Sequence, residues 1–457
     1  LPLALLTPYG TGSNGLYLYF ETEFAPAVSY TVRVEGLADF TARAADISGK
    51  EYTRTHEFQL IGLVPGEVNE VTLTVEGSWG NTRQTIRFSV EMPEARSGYA
   101  TRLEVTEGGS DAAQADGLFA MMRVNGYLGY GFFFDNDGVL RYEMVLEGYG
   151  LDRLLFCGDE ILTCVSSSKL ARIDGLGRVT WVCDLGNYDL HHDIGLGTDG
   201  EVLALAEERG CEAVEDRLLS IDTVTGEVTE LIDFSVLLKD YYDVTRPVGA
   251  DDDFFWQAGE RDWIHLNSLQ YLPGADSLIL SSRETSAILK VADLHGAPAL
   301  DWLAGDQRVW ADTAYADVCL EQAGNFVPQY GQHCVEYYAD GGQDGVYYLS
   351  LFNNNYWSIN SRDLELPVAD SVGTGLYDTD VTSQVYIYRI DENKRTFSLE
   401  ESFEVPYSSI VSNGSLCGEG GNWTVNSGVA MVFGEYDQSG VLIRQYAYEC
   451  TMQNYRT

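Results

Sequence analysis

Positive charge is scarce in this sequence. Against 70 Asp and Glu stand only 28 Lys and Arg, giving a formal charge of -42 at pH 7. A nucleic-acid binder needs clustered cations to release phosphate counterions, and no such cluster is present, so nucleic acid is not an expected partner. An anionic membrane surface is disfavoured on the same ground. Long apolar runs are missing as well. No stretch approaches the ~18 apolar residues of a transmembrane helix, so no membrane span is expected. Proline is sparse, 11 in 457, while there are 47 Gly and 29 Tyr. That balance suits many short strands joined by tight turns, and an all-β protein is expected.

Several motifs are also missing. None of the eight cysteines forms a C-x-x-C pair, which argues against zinc ribbons and thioredoxin-like chemistry. No phosphate-binding G-x-x-x-x-G-K-[ST] loop and no Rossmann fingerprint occur, so no nucleotide cofactor is implied, and no metal is implied either. An even cysteine count in an acidic β-rich chain suggests an oxidising compartment, periplasmic or extracellular. Cys157 with Cys164 across a short hairpin, and Cys417 with Cys450, are the pairs expected to bridge, with free buried thiols as the alternative. The chain begins at Leu1, which fits a processed or trimmed protein. The acidity itself reads as a solvated surface. An enzyme this acidic that handles an anion must build a local cationic pocket, so the six histidines and the arginines near them carry the interest.

At this length at least two domains are expected. Residues 15 to 92 alternate apolar and polar, as in Tyr30-Thr-Val-Arg-Val34 and Glu70-Val-Thr-Leu-Thr-Val75, and read as a small β-sandwich over 1–95. Gly77 to Asn81 would turn its last hairpin, and Pro93 to Gly98 reads as a linker. Beyond it a turn recurs between strand-like runs: Asp135-Asn-Asp-Gly138, Asp174-Gly-Leu-Gly177, Asp293-Leu-His-Gly296 and Asp437-Gln-Ser-Gly440. Asp222 to Gly226 carries one extra residue, and Asp391 to Lys394 lacks the Gly. Each copy reads as the outer hairpin of a four-stranded blade, so 96–457 is expected to form a six-bladed β-propeller, with its largest insertion at about 350 to 382. Two stacked sandwiches are the alternative. Asp135 to Gly138 resembles a calcium loop but lacks the closing Glu of an EF-hand, and reads as a turn.

Three histidines share one place in this repeat. His192 lies eight residues before Gly200, His265 nine before Gly274 and His333 eight before Gly341, each where a new strand is expected to open. First strands of propeller blades line the central channel, so the three side chains are expected to converge there. Alternation puts Asn267 on the face of His265, and Arg283 ends the next strand. Arg283 offers a permanently charged planar fork for an oxyanion. Imidazoles, an amide and a guanidinium around His333 make a site for a tetrahedral anion with a nucleophile at its centre. His191 is the weaker member of its pair, because neighbouring strand residues face opposite ways. His56 and His295 read as structural.

The stretch from Trp263 to Gly305 carries His-x-Asn-Ser, Ser-Ser-Arg-x-x-Ser-Ala-Ile and Trp302-Leu-Ala-Gly305, and it resembles the bacterial arylsulfate sulfotransferase family. His191-His192-Asp193 and Gly331-Gln332-His333 are similar to two further histidine motifs of that family. The resemblance implies a β-sandwich followed by a six-bladed propeller, aryl sulfate donors and phenolic acceptors, and no nucleotide-sulfate cofactor. It places the transiently sulfurylated histidine on His333, with His192, His265, Asn267 and Arg283 as partners and His191 in a secondary place. No cysteine stands in the Cys-x-Pro-x-Arg setting of metal-dependent sulfatases. A departure is Cys334 directly after His333, with Cys319 fifteen residues earlier, which would allow a disulfide beside the site. The rival readings are a propeller glycosidase or lyase, which needs a pair of channel carboxylates, and an extracellular binding propeller whose channel histidines are dispensable. A homo-oligomer is left open.

Overall fold

The computed structural model describes residues 2–78, 83–122, 129–146, 153–198, 200–339, 342–417, 421–451 and 453–457. Among them eight β-sheets form, and helix is confined to single turns such as Phe234–Leu237 and Lys239–Tyr242. The expected all-β class is what the chain adopts.

Two sheets use the N-terminal part. Leu3–Leu6, Leu16–Glu21 and Thr55–Leu60 form one; Phe40–Arg43, Pro26–Arg33, Val68–Gly77 and Arg83–Glu91 form the other. Alternation decides what each strand buries. Val71, Leu73 and Val75 face inward with Tyr30 and Val32, and Leu16, Leu18, Phe58 and Leu60 of the other sheet complete one shared apolar core. The turn expected at 77 to 81 falls largely outside the described residues.

From residue 119 six sheets follow in chain order. The first has Phe119–Met122, Tyr130–Phe134 and Leu140–Val145; the second runs from Leu154–Cys157 to Val179–Asp184, and the third from Tyr188–Leu196 to Val228–Asp233. The fourth runs from Leu266–Leu272 to Ala299–Gly305, the fifth from His333–Ala339 to Thr396–Val405, and the sixth from Asn413–Cys417 to Leu442–Ala447. All six Asp turns read from the sequence join the last two antiparallel strands of a sheet. At Asp135 the carboxylate accepts from the backbone N–H of Asp137 and Val139 and from Arg141 Nε, so it is engaged by its own hairpin as a turn residue should be.

Two contacts tie the ends of the chain into this succession. Glu104–Glu107 pairs with Leu442–Ala447, so a strand from just after the linker completes the sixth sheet. The outer edge of the three-stranded first sheet is taken by the N-terminal chain, where Val145 N–H donates to Thr11 O at 2.9 Å and Ser13 N–H to Glu143 O at 3.1 Å.

The first strands of neighbouring sheets are stitched together by side chains. Leu269 N–H donates to Asp193 Oδ2 at 3.0 Å, and Val335 N–H to Ser268 Oγ at 2.9 Å. Because successive strands alternate in direction, first strands begin at the same end at which second and fourth strands finish. The connections 234–265, 306–332 and 354–382, the tail 448–457 and Arg283 therefore all emerge at that one end. The insertion at 354–382 was legible in the sequence; the other two connections were not.

The two expected disulfides are absent, and so is the one that Cys319 and Cys334 would allow. Cys157 opposes Glu160 at the turn of its hairpin, whereas Cys164 lies beyond Thr163, which opposes Leu154. At ~3.3 Å per residue that offset exceeds the ~4.4–6.8 Å Cα spacing of a bridge. Cys417, opposite Asn422, and Cys450, beyond Ala447, sit at opposite ends of the sixth sheet. Cys319 lies beside Leu303, and Cys334 is buried behind His333. Cys157, Cys319, Cys334, Cys417 and Cys450 are free thiols.

Candidate active site

The histidines meet because three neighbouring first strands share one irregularity. His192 has φ 52°, His265 φ 46° and Cys334, next to His333, φ 53°, all in the left-handed region that non-glycine residues avoid. Each coincides with a shift of register against the second strand, between Leu190 and Ile194, Leu266 and Ser268, and His333 and Glu336. A bulge re-aims side chains, and here three of them turn imidazoles toward one another. Backbone strain of this kind persists where the surroundings over-determine it, and it clusters at functional sites.

Ring centroids lie 4.8 Å apart for His192 and His265, 6.3 Å for His265 and His333, and 6.5 Å for His192 and His333. The expected convergence is present. Strand-opening placement holds for His333 and holds within one residue for His265, but His192 sits inside its strand. The left-handed turn at His192 also defeats the alternation expected at His191. The Nδ1 atoms of the two adjacent rings are 3.1 Å apart, so both face the same side. The offset of His333 to Gly341 ends outside the described residues.

The three rings hold opposite charge states. His265 Nδ1 lies 2.7 Å from both Asp262 Oδ2 and Glu215 Oε2. Burial pushes its pKa down, but the two carboxylates outweigh burial and raise it to about 9. Burial, together with the positive charge on His265, holds His192 and His333 well below the ordinary histidine value. Near neutral pH the site therefore contains one imidazolium and two neutral imidazoles.

Arg283 supplies a second fixed cation. Its guanidinium contacts Asp262 Oδ2 at 3.2 Å and Glu284 Oε2 at 2.9 Å, and lies 4.0 Å over the ring of Phe254. Glu284 in turn accepts from the backbone N–H of Asn360 and Ser361, fixing the long insertion over this side of the site.

His333 is 1% exposed and is held from behind. Its Nδ1 lies 3.0 Å from Gly331 O and 2.8 Å from Asn354 Oδ1. Gly331, at φ 64°, leaves no room for a side chain, since a Cβ there would stand 2.7 Å from Tyr356 O. Gln332 is fully buried and donates to Ser282 O and Ala287 O, each at 3.0 Å, so the Gly-Gln pair anchors the turn that delivers the ring.

Asn267 lies close by but is engaged differently from the expectation. Its Nδ2 donates to Gln332 O at 2.8 Å, bracing that turn. Cys334 is no rival nucleophile, because burial raises its thiol pKa. His56 stacks on Phe20 at 4.7 Å, and His295 lies between Asp276 and Glu201, so both are structural, as expected.

Sequence reasoning missed Glu215, Asp262, Asn354, Tyr455 and Arg456. The Tyr455 ring lies 5.8 Å from His192 and 5.5 Å from His333, and its hydroxyl donates to Asn267 O at 2.5 Å. Arg456 donates to His192 O at 2.9 Å and pairs with Asp193 at 3.1 Å. Two signals were available: Asp262 stands three residues before His265, and Asn353 to Asn355 are three consecutive asparagines ending a strand. Tyr455 and Arg456 fall outside the repeat, where no spacing flags them.

Glu215, Asp262 and His265 offer three ligand atoms within 4.8 Å of one another, as do His191, His192 and Glu215. Such donors suit a divalent ion in type. The guanidinium of Arg283 beside Asp262, however, puts a fixed positive charge against the first of these groups.

Residues 104–456 match the family model described as Arylsulfotransferase (ASST), and residues 3–93 match that described as Arylsulfotransferase Ig-like domain. No curated protein matches the sequence. Among solved structures, a 6-phosphogluconolactonase candidate from Bacteroides fragilis is 11% identical, covering 93% of this chain and 96% of its own, at TM-score 0.40. The WD40 domain of coronin from Toxoplasma gondii is 10% identical, covering 76% of each chain, at TM-score 0.36. BamB from Moraxella catarrhalis is 11% identical, covering 98% of each, at TM-score 0.30.

Proposed function

The chain belongs to the arylsulfotransferase family, and on that premise we propose that it moves a sulfuryl group from an aryl sulfate to a phenol by a ping-pong route through a sulfohistidine on His333. The six sheets are proposed as the blades of one propeller over 96–457, with 1–95 as its sandwich partner. Within the family's general sulfotransferase activity, the observation that favours this route is the pairing of a neutral, buried His333 with a cationic His265 and Arg283. A neutral imidazole can attack sulfur. The two cations offset the oxygens' charge in a site from which water is largely excluded.

In the first half-reaction the His333 Nε2 lone pair forms an N–S bond as the S–O(aryl) bond breaks, and the phenolate leaves with the electron pair. The His265 imidazolium supplies its proton, while His192, neutral beside it, takes part as a hydrogen-bonding partner of the site. In the second half a phenol gives its proton to the now neutral His265, restoring the imidazolium, its oxygen attacks sulfur, and the N–S electron pair returns to His333. Asn267 is assigned the support of the Gln332 turn, and His191 a contact that orients His192. A glycosidase would need two carboxylates free to face substrate, but Asp262 is engaged by His265 and Arg283. A location outside the cytoplasm remains the proposal, resting on acidity now that the expected disulfides are not formed.

The test is a chromogenic aryl sulfate incubated with and without added phenol. Strong acceleration of phenolate release by the phenol is expected, because water is a poor substitute for a bound aromatic nucleophile. Equal rates would make the protein a sulfatase, and no release from a range of aryl sulfates would remove the reading.

A further inference from the structure

Asn354 has a side chain that cannot turn round. Its Nδ2 donates to Ser408 O at 2.7 Å and to Val411 O at 2.9 Å. With both hydrogens of the amide engaged by carbonyls, the group presented to His333 Nδ1 at 2.8 Å is the oxygen, an acceptor. The other neighbour of Nδ1, Gly331 O at 3.0 Å, is an acceptor too. Two acceptors on one ring nitrogen require that nitrogen to carry the proton. The residues around it are buried, Asn353 and Asn354 completely and Asn355 at 3% exposure. Each of the flanking asparagines bonds a different segment, Asn353 reaching Gln384 and Asn355 reaching Ser371 O and Thr382 O.

From this geometry we infer that Asn354 is the positioning residue that locks His333 as the Nδ1–H tautomer, leaving the Nε2 lone pair for sulfur, and that its being an amide rather than a carboxylate keeps the sulfohistidine reactive. This rests on the transfer reading above and adds the control of its two half-reactions. The second part follows from comparison with His265, whose Nδ1 meets two carboxylates. A carboxylate partner stabilises positive charge on the ring. In a ring already sulfurylated at Nε2 and protonated at Nδ1, it would strengthen the N–S bond that the acceptor phenol must break. An amide accepts the same hydrogen bond without adding that charge, so both the attack on donor and the release to acceptor stay accessible.

The resting enzyme provides a test that needs no turnover. With 15N-labelled histidine, the His333 resonances, identified by their loss in His333→Asn, should show Nδ1 protonated and Nε2 bare at neutral pH. A ring protonated at Nε2 would overturn the tautomer lock even if transfer is observed. Kinetics supply the second arm. Asn354→Ala removes the acceptor and should slow sulfurylation by donor alone by roughly tenfold or more, with donor affinity little changed.

Asn354→Asp should give a burst of about one equivalent of phenolate followed by slow turnover, with the sulfurylated enzyme accumulating. It should also move the acid limb of the sulfurylation rate upward in pH, against the background of the groups facing His333: His265, His192, Arg283 and Tyr455. Melting curves establish that each variant folds. Should Asn354→Asp not fold, the alanine variant and the resonance assignment decide. Wild-type rates and an unchanged pH profile in folded variants would overturn the proposal. A protein that shows the Nδ1–H tautomer yet is never sulfurylated would instead remove the transfer reading and leave the lock standing.

Discussion

The N-terminal pair of sheets and the centre of the six-sheet succession bury side chains equally well, but bury opposite kinds. Between the N-terminal sheets lie Val32, Phe58, Leu60, Val71 and Leu73, each at most 3% exposed. At the centre lie Asp193, Asp262, Asn267, Arg283, Glu284, Gln332 and His333, none above 2%. Apolar burial stabilises a fold without further conditions. Buried charge is costly unless each group finds a partner, and here partners are found: Asp262 with His265 and Arg283, Asp193 with Arg456. The first region holds the chain together, and the second uses stability contributed elsewhere to keep charges in fixed places.

The largest effect that would sharpen this contrast is expected at the centre. His333→Asn should abolish transfer in the standard assay while circular dichroism and melting remain close to wild type, since one central ring contributes little to six packed sheets. Next come the cations. Arg283→Ala and His265→Asn should each lower kcat/KM by ~10²–10³, the usual cost of one oxyanion donor. A loss confined to KM would mean that they bind donor without favouring the transition state.

The pH dependence separates the rings. His265 has a folded-state pKa of about 9, above the ~6.5 of an unfolded histidine. Its contribution to stability is therefore full below ~6.5 and is lost as pH rises through about 9. Activity that depends on the imidazolium should fall in the same alkaline window. His333 and His192 are shifted the other way, so they stay neutral in the folded protein while the unfolded chain takes up protons, and stability should decline as pH falls below ~6.5. A pH–rate profile with its acid limb below that value and its alkaline limb near 9 is expected; Asp262→Asn should move the alkaline limb down.

The N-terminal region should respond in the opposite sense. Phe58→Ala, at a fully buried position, should cost ~3–5 kcal/mol of stability by chemical denaturation, with kcat at moderate temperature unchanged. The smallest effect is expected from reductant. With the expected bridges absent, dithiothreitol should leave the melting temperature where it was, and a fall of several degrees would show that disulfides form after all.

What the sequence made legible follows the same division. Period-two alternation identified the N-terminal strands because apolar burial leaves that signature, as in Val71, Leu73 and Val75. The Asp turns marked six hairpins because a short polar side chain is needed to close each one, as at Asp135. The three histidines could be picked out because a repeat turns an isolated residue into a position. The partners that set their charge could not. Glu215, Asp262 and Asn354 reach the site from connections and from the end of a strand, places where no period applies, and Tyr455 arrives from the far end of the sequence. The opposite facing expected of His191 and His192 gave way for a local reason, a left-handed residue that alternation does not anticipate. The disulfides failed because pairs near in sequence proved to lie at different ends of a hairpin or a sheet.

The claim that a sulfuryl group rests on His333 can be tested directly by mixing the enzyme with an aryl sulfate alone, quenching rapidly at alkaline pH and mapping the protein by peptide mass spectrometry. The expected result is one added sulfuryl group on the peptide containing His333, lost on brief exposure to a phenol before the quench. An added group on any other residue, or none while turnover with phenol proceeds normally, would contradict it.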